Sequence, residues 1–276
     1  CGQPVRGPWL ARCKDLYMHT PYTVDYGVCQ ECKLVQQVPA PYDTQSFYPE
    51  NYPMHHSRGR ITTIARKLLI RNVYFEPGEN EIGATLMDFG CGDGAYLQSV
   101  RDKVGYRFGF EASTEQAQLV SAHMGCDVFS NLTRAGIELE GRIDIVTGHF
   151  VLEHLTDLHA VFRFWGRILK RGGIIPLAVP NIRSGEARLF GNKWHGLDAP
   201  RHISFPDAQS ITLLAEKHGF QITNHRHGIF PNTWAASLAT VLAGRYQHAL
   251  FLAFLPLSFV LSCFFSQSTA VFQLNK

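Results

Sequence analysis

The chain has 276 residues, 45% of them hydrophobic and 18% charged, with a formal net charge of +3. That composition describes an ordered protein with one large domain and room for a small appendage. With so small a charge and no stripe of Lys and Arg, nucleic acid is excluded as the expected partner.

The sequence opens at Cys1 without an initiator methionine, so a preceding segment is expected, and no targeting peptide is visible. Four cysteines (Cys1, Cys13, Cys29 and Cys32) fall in the first 32 residues, and the odd total of 7 argues against a simple disulfide framework. Cys29 and Cys32 make a C-x-x-C knuckle. Two thiolates so spaced grip one tetrahedral Zn²⁺ if two more ligands are supplied, and Cys1 or Cys13 is the available candidate. A redox pair and a metal-free turn are the alternatives. Residues 1–40 therefore read as a small Cys-rich module and residues 41–60, rich in Pro and Tyr, as a linker.

Residues 61–75 carry apolar side chains at Ile61, Ile64, Ala65, Leu68 and Leu69, the pattern of an amphipathic helix ended by Pro77-Gly78. Residues 84–95, A-T-L-M-D-F-G-C-G-D-G-A, then organise the rest. A short apolar strand is cut off by Asp88 and by glycines at alternate positions, Gly90, Gly92 and Gly94. Tyr96, Leu97 and Val100 resume a helical period, expected to last until about Lys103. Strand, glycine turn and helix together form a nucleotide site at the C-terminal edge of a parallel sheet. Gly90, Gly92 and Ala95 also satisfy a loose dinucleotide fingerprint.

A second strand at 105–111 ends in Glu111, whose carboxylate at a strand tip can accept both hydroxyls of a ribose. Adenosylmethionine and NAD both carry that ribose; a surface glutamate is the bland alternative. A helix at 114–124, capped by Ser113 or Thr114, leads to a third strand at 126–129, with Asn131 placed to border an adenine. The fourth strand lies within 141–150 and includes His149. Strand five, 173–180, contains Pro176, which removes a ladder donor and calls for a bulge or incomplete pairing. Residues 191–202 read as too polar and glycine-rich for core, and they follow the ligand edge of the sheet. Trp194, Asp198, Arg201 and His202 are therefore candidates for a substrate loop. A helix at 207–219 and a strand at 220–229 follow.

The tail has an uncharged run at 249–265 interrupted by Pro256, and a second apolar piece at 234–243. A bilayer span needs about 20 apolar residues, so this run is short. A helical hairpin over the fold or at a homodimer contact, a peripheral membrane contact, and a span compete here. Residues 269–274 alternate as a final strand should.

Several of these stretches carry a resemblance. D-x-G-x-G-x-G at Asp88 to Gly94 resembles motif I of the class I S-adenosylmethionine (SAM)-dependent methyltransferases. C-Q-E-C-K-L-V-Q-Q-V-P-A-P, starting at Cys29, is similar to the segment that opens many zinc-ribbon-bearing methyltransferases of the ubiquinone-biosynthesis-like group, with Lys33 where glycine is usual. E-H-L from Glu153, and L-K-R-G-G from Leu169 with Arg171 in place of proline, are similar to two further signatures of that group. So is W-x-x-x-D-x-P-R-H from Trp194. F-Y-P-E-N-Y from Phe47 resembles an aromatic stretch leading into the active-site cover, although packing of a linker accounts for it equally well.

The resemblance implies an α/β fold, a Rossmann-like seven-stranded mostly parallel sheet with helices on both faces, preceded by the small Cys-rich N-terminal module. The methyltransferase domain would span 61–276 with an apolar helical insertion at 232–266. It implies SAM bound by Asp88, Gly90, Cys91, Gly92, Gly94, Glu111, Ala112, Asn131 and His149, and a structural zinc held by Cys1, Cys29 and Cys32. Deprotonating an acceptor hydroxyl calls for a base near neutral pKa, with His202 first and His154 and His149 as alternates. His154 serves equally well as a packing or capping residue. The acceptor would be a small molecule (a sugar, quinone-like, polyketide or lipid intermediate), and the setting cytoplasmic or peripheral at the membrane. A non-catalytic adenosine-ligand or zinc scaffold, and an NAD-dependent oxidoreductase, are the competing classes.

Overall fold

The computed structural model describes residues 4–48, 73–228, 230–265 and 267–276. Expectations for Cys1, for residues 49–52 of the aromatic stretch and for a helix at 61–72 fall outside them.

Strands β1 (Val5–Lys14) and β2 (Thr23–Cys29) form an antiparallel hairpin in which Val5 faces Cys29 and Cys13 faces Val24. β3 (Val35–Val38) pairs with β2, and the two-residue strand Ser204–Phe205, from much later in the chain, completes this sheet beyond β3. Tyr26, Val35 and Phe205 of this sheet are fully buried with Cys13, whereas Trp9 on β1 stays exposed. Ile182, Trp194, Leu197 and Ala199 share their core, so the N-terminal sheet is packed onto the segment that follows the fifth strand of the main sheet.

The main sheet is built from β4 (Thr85–Phe89), β5 (Tyr106–Phe110), β6 (Asp127–Phe129), β7 (Ile143–His149), β8 (Leu169–Pro180), β10 (Gln221–Gly228) and β11 (Thr269–Asn275), with Ser204–Phe205 taking the label β9. Its spatial order is β10-β11-β8-β7-β4-β5-β6, and β11 alone runs against the others. The chain steps outward from β4 to β5 and β6, then returns to the other side of β4 to lay down β7 and β8. That reversal opens a crevice beyond the C-terminal ends of β4 and β7, the place where open α/β sheets bind ligands.

Helix α1 (Ala95–Ser99) is shorter than the sequence pattern suggests. Instead of continuing to Lys103, the chain tightens into i→i−3 turns (Arg101 N to Gln98 O, Lys103 N to Val100 O), because the Gly105 and Tyr106 amides must both reach the Ala84 carbonyl at the foot of β4. Helix α2 (Thr114–Met124) is capped by the Ser113 hydroxyl, which accepts the Gln116 amide, and ends at left-handed Gly125. Helix α3 (Leu132–Glu138), not foreseen from sequence, starts at Asn131. Helix α4 (Leu158–Ile168) buries Val161, Phe162, Phe164, Trp165 and Ile168, an i, i+3, i+4, i+7 stripe that packs on the sheet.

Pro176 needs no bulge. Its partner is Gln273 on β11, and the β7–β8 register is the same at Ile145–Ile174 as at Gly148–Leu177. The register shift lies earlier, where β8 starts at Leu169, ahead of the strand expected from residue 173.

After α5 (Gly185–Phe190), α6 (Ala208–Lys217) and β10, the tail forms two helices, α7 (Pro231–Ala243) and α8 (His248–Phe265). Pro256 sits inside α8 without ending it. The hairpin roofs the N-terminal sheet: the His195 amide donates to Ser237 Oγ at 3.0 Å and the Tyr246 amide to the Leu16 carbonyl at 3.0 Å. Among the described residues no helix is long and apolar enough to cross a membrane.

Candidate active site

The loop after β4 stands on three left-handed glycines. Gly90 has φ +76°, and a Cβ there would lie 2.6 Å from Val151 Cγ2, so its glycine is dictated by packing against the turn after β7. Gly92, at φ +54°, is different: a Cβ there would meet nothing within 4 Å. Its open face is a cradle suited to a ligand. Glu111 follows the end of β5, and its Oε2 accepts the Gly92 amide at 3.1 Å while Oε1 accepts the Ser113 amide at 3.3 Å. Gln116 Nε2 holds the Gly92 carbonyl at 3.0 Å. The acid is thus locked against the glycine loop.

Other residues of the expected cofactor set lie around this loop. Asp88 is buried inside β4, and its Oδ1 accepts the Thr147 hydroxyl at 2.8 Å. Cys91 turns its thiol under the loop, into the core with Leu97 and Val120, where burial raises its pKa. Gly94 packs against α2, since a Cβ there would lie 2.8 Å from Val120. Ala112 is exposed at the loop rim, and Asn131 caps α3 by accepting the Arg134 amide at 2.9 Å. His149, at the end of β7, accepts the Phe75 amide on Nε2 at 3.1 Å and packs between Tyr74 and Tyr96.

Across the crevice, past β7, the short turn Leu152–His154 meets the end of the 191–202 segment. The Ile203 amide donates to the Glu153 carbonyl at 2.6 Å. His154 and His202 pack edge to face with ring centroids 4.7 Å apart. His154 Nδ1 lies 3.1 Å from the Arg201 carbonyl and 2.9 Å from the Tyr48 hydroxyl; His202 Nδ1 lies 2.9 Å from the Gly196 carbonyl. A carbonyl only accepts, so we assign the proton to both Nδ1 atoms, with the Tyr48 hydroxyl turned to accept from His154, which leaves a lone pair on both Nε2 atoms. Burial lowers both imidazole pKa values, and for His202, with His154 beside it, to about 3. Glu153 is completely buried, and burial lifts its carboxyl to about 8. Neither Glu153 nor Tyr48 was singled out as a site residue from sequence; Glu153 was visible in E-H-L and Tyr48 in the aromatic stretch.

The 191–202 segment corrects its sequence reading. It is core, because Trp194 and Leu197 are buried and Arg201 is fully buried. Its polarity is paired internally. Arg201 takes Asp15 with Nη1 and Nη2 at 2.8 and 2.9 Å, and Asp198 with Nε and Nη2 at 3.1 and 2.7 Å. Trp194 Nε1 donates to Glu186 at 3.1 Å. Trp194, Asp198 and Arg201 therefore fasten the loop to the N-terminal sheet, and His202 is the member turned toward Glu153 and His154.

At Cys29–Cys32 the turn closes with the Lys33 amide on the Cys29 carbonyl at 3.0 Å and with Lys33 left-handed at φ +61°. Lysine here adopts the conformation that a glycine would take. Burial raises the Cys29 thiol, but the Cys32 and Glu31 amides outweigh it and hold the pKa below its ordinary value, while burial and Cys29 raise that of Cys32. Cys13 is ruled out as a shared ligand. It pairs with Val24, five positions along β2 from Cys29, some ~17 Å at strand rise.

Residues 61–225 match the family described as a methyltransferase domain. The chain belongs to that family. A SAM-dependent methyltransferase from Archaeoglobus fulgidus is 15% identical, aligns over 78% of this chain and 93% of its own, and superposes with a TM-score of 0.52. A SAM-dependent methyltransferase from Mesorhizobium loti is 15% identical over 77% of this chain and 98% of its own, at 0.51. At such identity these structures speak for the fold. No curated protein matches the chain. The seven-stranded sheet, its single reversed strand and the glycine loop are those of a class I SAM-dependent methyltransferase. In this methyltransferase the open face of Gly92 and the carboxylate of Glu111 fit the methyl donor.

Proposed function

We propose that this methyltransferase transfers a methyl group from SAM to an oxygen, nitrogen or carbon nucleophile of a small-molecule acceptor. Two groups after neighbouring strands support the reading: the open face of Gly92 with Glu111 bonded to its amide, which would take the donor, and the cluster of Glu153, His154 and His202 after β7, which would take the acceptor. SAM would supply an electrophilic methyl, the S–CH₃ bond breaking as the acceptor's electron pair forms the new bond and S-adenosylhomocysteine is released. The chain's residues position the reactants, which itself contributes much of the acceleration. His154 and His202 present neutral Nε2 lone pairs toward the acceptor, whereas the lone pair of His149 is spent on Phe75. With its pKa near 3, His202 is a weak proton acceptor on its own, so the role proposed for it is to hold the reacting group. Incubation with methyl-labelled SAM and a panel of sugars, quinone precursors, polyketides and lipids tests the reading; label transfer to none of them, by protein that binds S-adenosylhomocysteine, favours a non-catalytic binding role.

We also propose that Cys29 and Cys32 form half of a structural zinc site. The lowered thiol of Cys29 and the tight turn through Lys33 support it. Among the described residues no third donor joins the pair, which leaves Cys1 and any preceding residues to complete it.

The third part of the reading concerns α7 and α8. Leu242, Leu252, Leu257, Phe259 and Val260 are exposed on this hairpin. Two short helices with an apolar outer face suit the plane of a membrane interface, and we propose peripheral contact there, with a subunit contact as the alternative outcome.

A further inference from the structure

Glu153 is the side chain that the methyl-transfer reading leaves without work. It is fully buried, and neither of its carboxylate oxygens has a hydrogen-bond partner. A buried carboxyl group is tolerated when a proton, a donor or a cation satisfies it. Its neighbours are two imidazoles rather than a lysine or arginine, and the ligating atoms of Glu153, His154 and His202 all lie within 4.8 Å of one another.

We propose that Glu153, His154 and His202 bind one divalent transition-metal ion, with an open position facing the acceptor. The imidazole tautomers suit this use. Each Nδ1–H is fixed on a backbone carbonyl, of Arg201 for His154 and of Gly196 for His202, and the Nε2 lone pair is left for the ion. That outer shell is what orients metal-bound histidines. The local charge also favours a dication. Asp15 and Asp198 outnumber the Arg201 guanidinium between them, and an ionised Glu153 adds a further negative charge. Asp198 Oδ2 stands 4.0 Å from His202 Nε2. Two imidazoles and one carboxylate select zinc, iron(II) or cobalt(II) over Mg²⁺ or Ca²⁺, which prefer an all-oxygen shell. Ligands ~2.1 Å from a tetrahedral ion stand ~3.4 Å apart, so the three groups need to close by up to ~1.4 Å from their spacing within 4.8 Å.

The role of the ion rests on the acceptor-side reading above, although its binding does not. With both lone pairs spent on the metal, the cluster would polarise an acceptor oxygen, which the low-pKa imidazoles do poorly by themselves.

Co²⁺ titration of the chelator-treated full protein, followed by visible absorption, tests the proposal. One equivalent with d–d bands and no thiolate charge-transfer band is expected, separate from any thiolate-bound ion at Cys29 and Cys32. Glu153→Gln and His202→Gln should each weaken that equivalent by at least ~100-fold, more than an outer-shell change costs, while S-adenosylhomocysteine binding persists. Glu153→Asp should retain it. A wild-type protein with no thiolate-free Co²⁺, or one in which both Gln variants bind it unchanged, overturns the site. Failure of S-adenosylhomocysteine to bind the wild type would instead refute the methyl-transfer reading and leave the metal result standing.

Discussion

The Ile203 amide donates to the Glu153 carbonyl at 2.6 Å, and this bond joins the turn after β7 to the end of the loop that carries His202. It brings together two motifs some fifty residues apart in sequence. Ile203 also accepts the Gln37 amide of β3 at 2.8 Å, so the same residue ties this turn to the N-terminal sheet.

Glu111 accepts the Gly92 amide and is proposed to receive the ribose of the donor. Glu111→Ala should weaken S-adenosylhomocysteine binding by ~1.5–3 kcal/mol, the range for hydrogen bonds to a charged group. Unchanged affinity in a folded variant removes Glu111 from that role.

Arg201 carries a different expectation, because its two partners are acids enclosed with it. Arg201→Met leaves Asp15 and Asp198 without their cation and should cost ~3–5 kcal/mol in urea unfolding. A loss below about 1 kcal/mol, the worth of an exposed pair, means that the network is solvated.

The same network sets a pH dependence. Burial works against the Asp15 carboxylate, but its bonds to Arg201, Thr20 and Met18 hold the pKa near 2. A lowered carboxylate pKa stabilises the fold above the unfolded value, and the contribution is lost as pH falls through the folded one. The difference in stability between wild type and Asp15→Asn should therefore shrink from pH ~4 to pH ~2, by about 2 kcal/mol. A difference that stays constant across that window contradicts the pairing.

At Cys29 and Cys32 the account expects one thiolate-bound zinc in protein that carries the complete N-terminal module. Metal analysis with and without Cys29→Ser and Cys32→Ser measures it. Native stability in metal-free full-length protein argues against the site.

For the apolar hairpin, Leu252, Phe259 and Val260 are the exposed side chains to replace with Ser. The wild type should sediment with anionic liposomes and the triple variant stay in the supernatant, both binding S-adenosylhomocysteine. A wild type that ignores liposomes, and a dimer broken by the variant, would make the face a subunit contact.

Much of the glycine-loop region was legible in the sequence because local patterns produce it. The strand at 85–89, the glycine turn and an acid at the end of the next strand are all short-range features. The acceptor side was less legible. Glu153 reads as one letter of a motif, and nothing in its neighbourhood announces that it is buried without a partner. The 191–202 segment misled for a physical reason: its charges are satisfied by Asp15, nearly two hundred residues away, and pairing across that distance leaves no local pattern. Lys33 departed from an expected glycine yet took the left-handed conformation, so the residue type changed while the turn did not.

Gly92, whose open face is proposed to receive the methyl donor, gives the sharpest test. Calorimetry with S-adenosylhomocysteine and with NADH, on wild type and on Gly92→Val, compares the two adenosine ligands at one site. A methyl donor seated on this loop gives one S-adenosylhomocysteine site in the wild type, no NADH binding, and loss of the site in a Gly92→Val variant whose circular dichroism is unchanged. NADH binding without S-adenosylhomocysteine binding, or wild-type affinity in Gly92→Val, would contradict it.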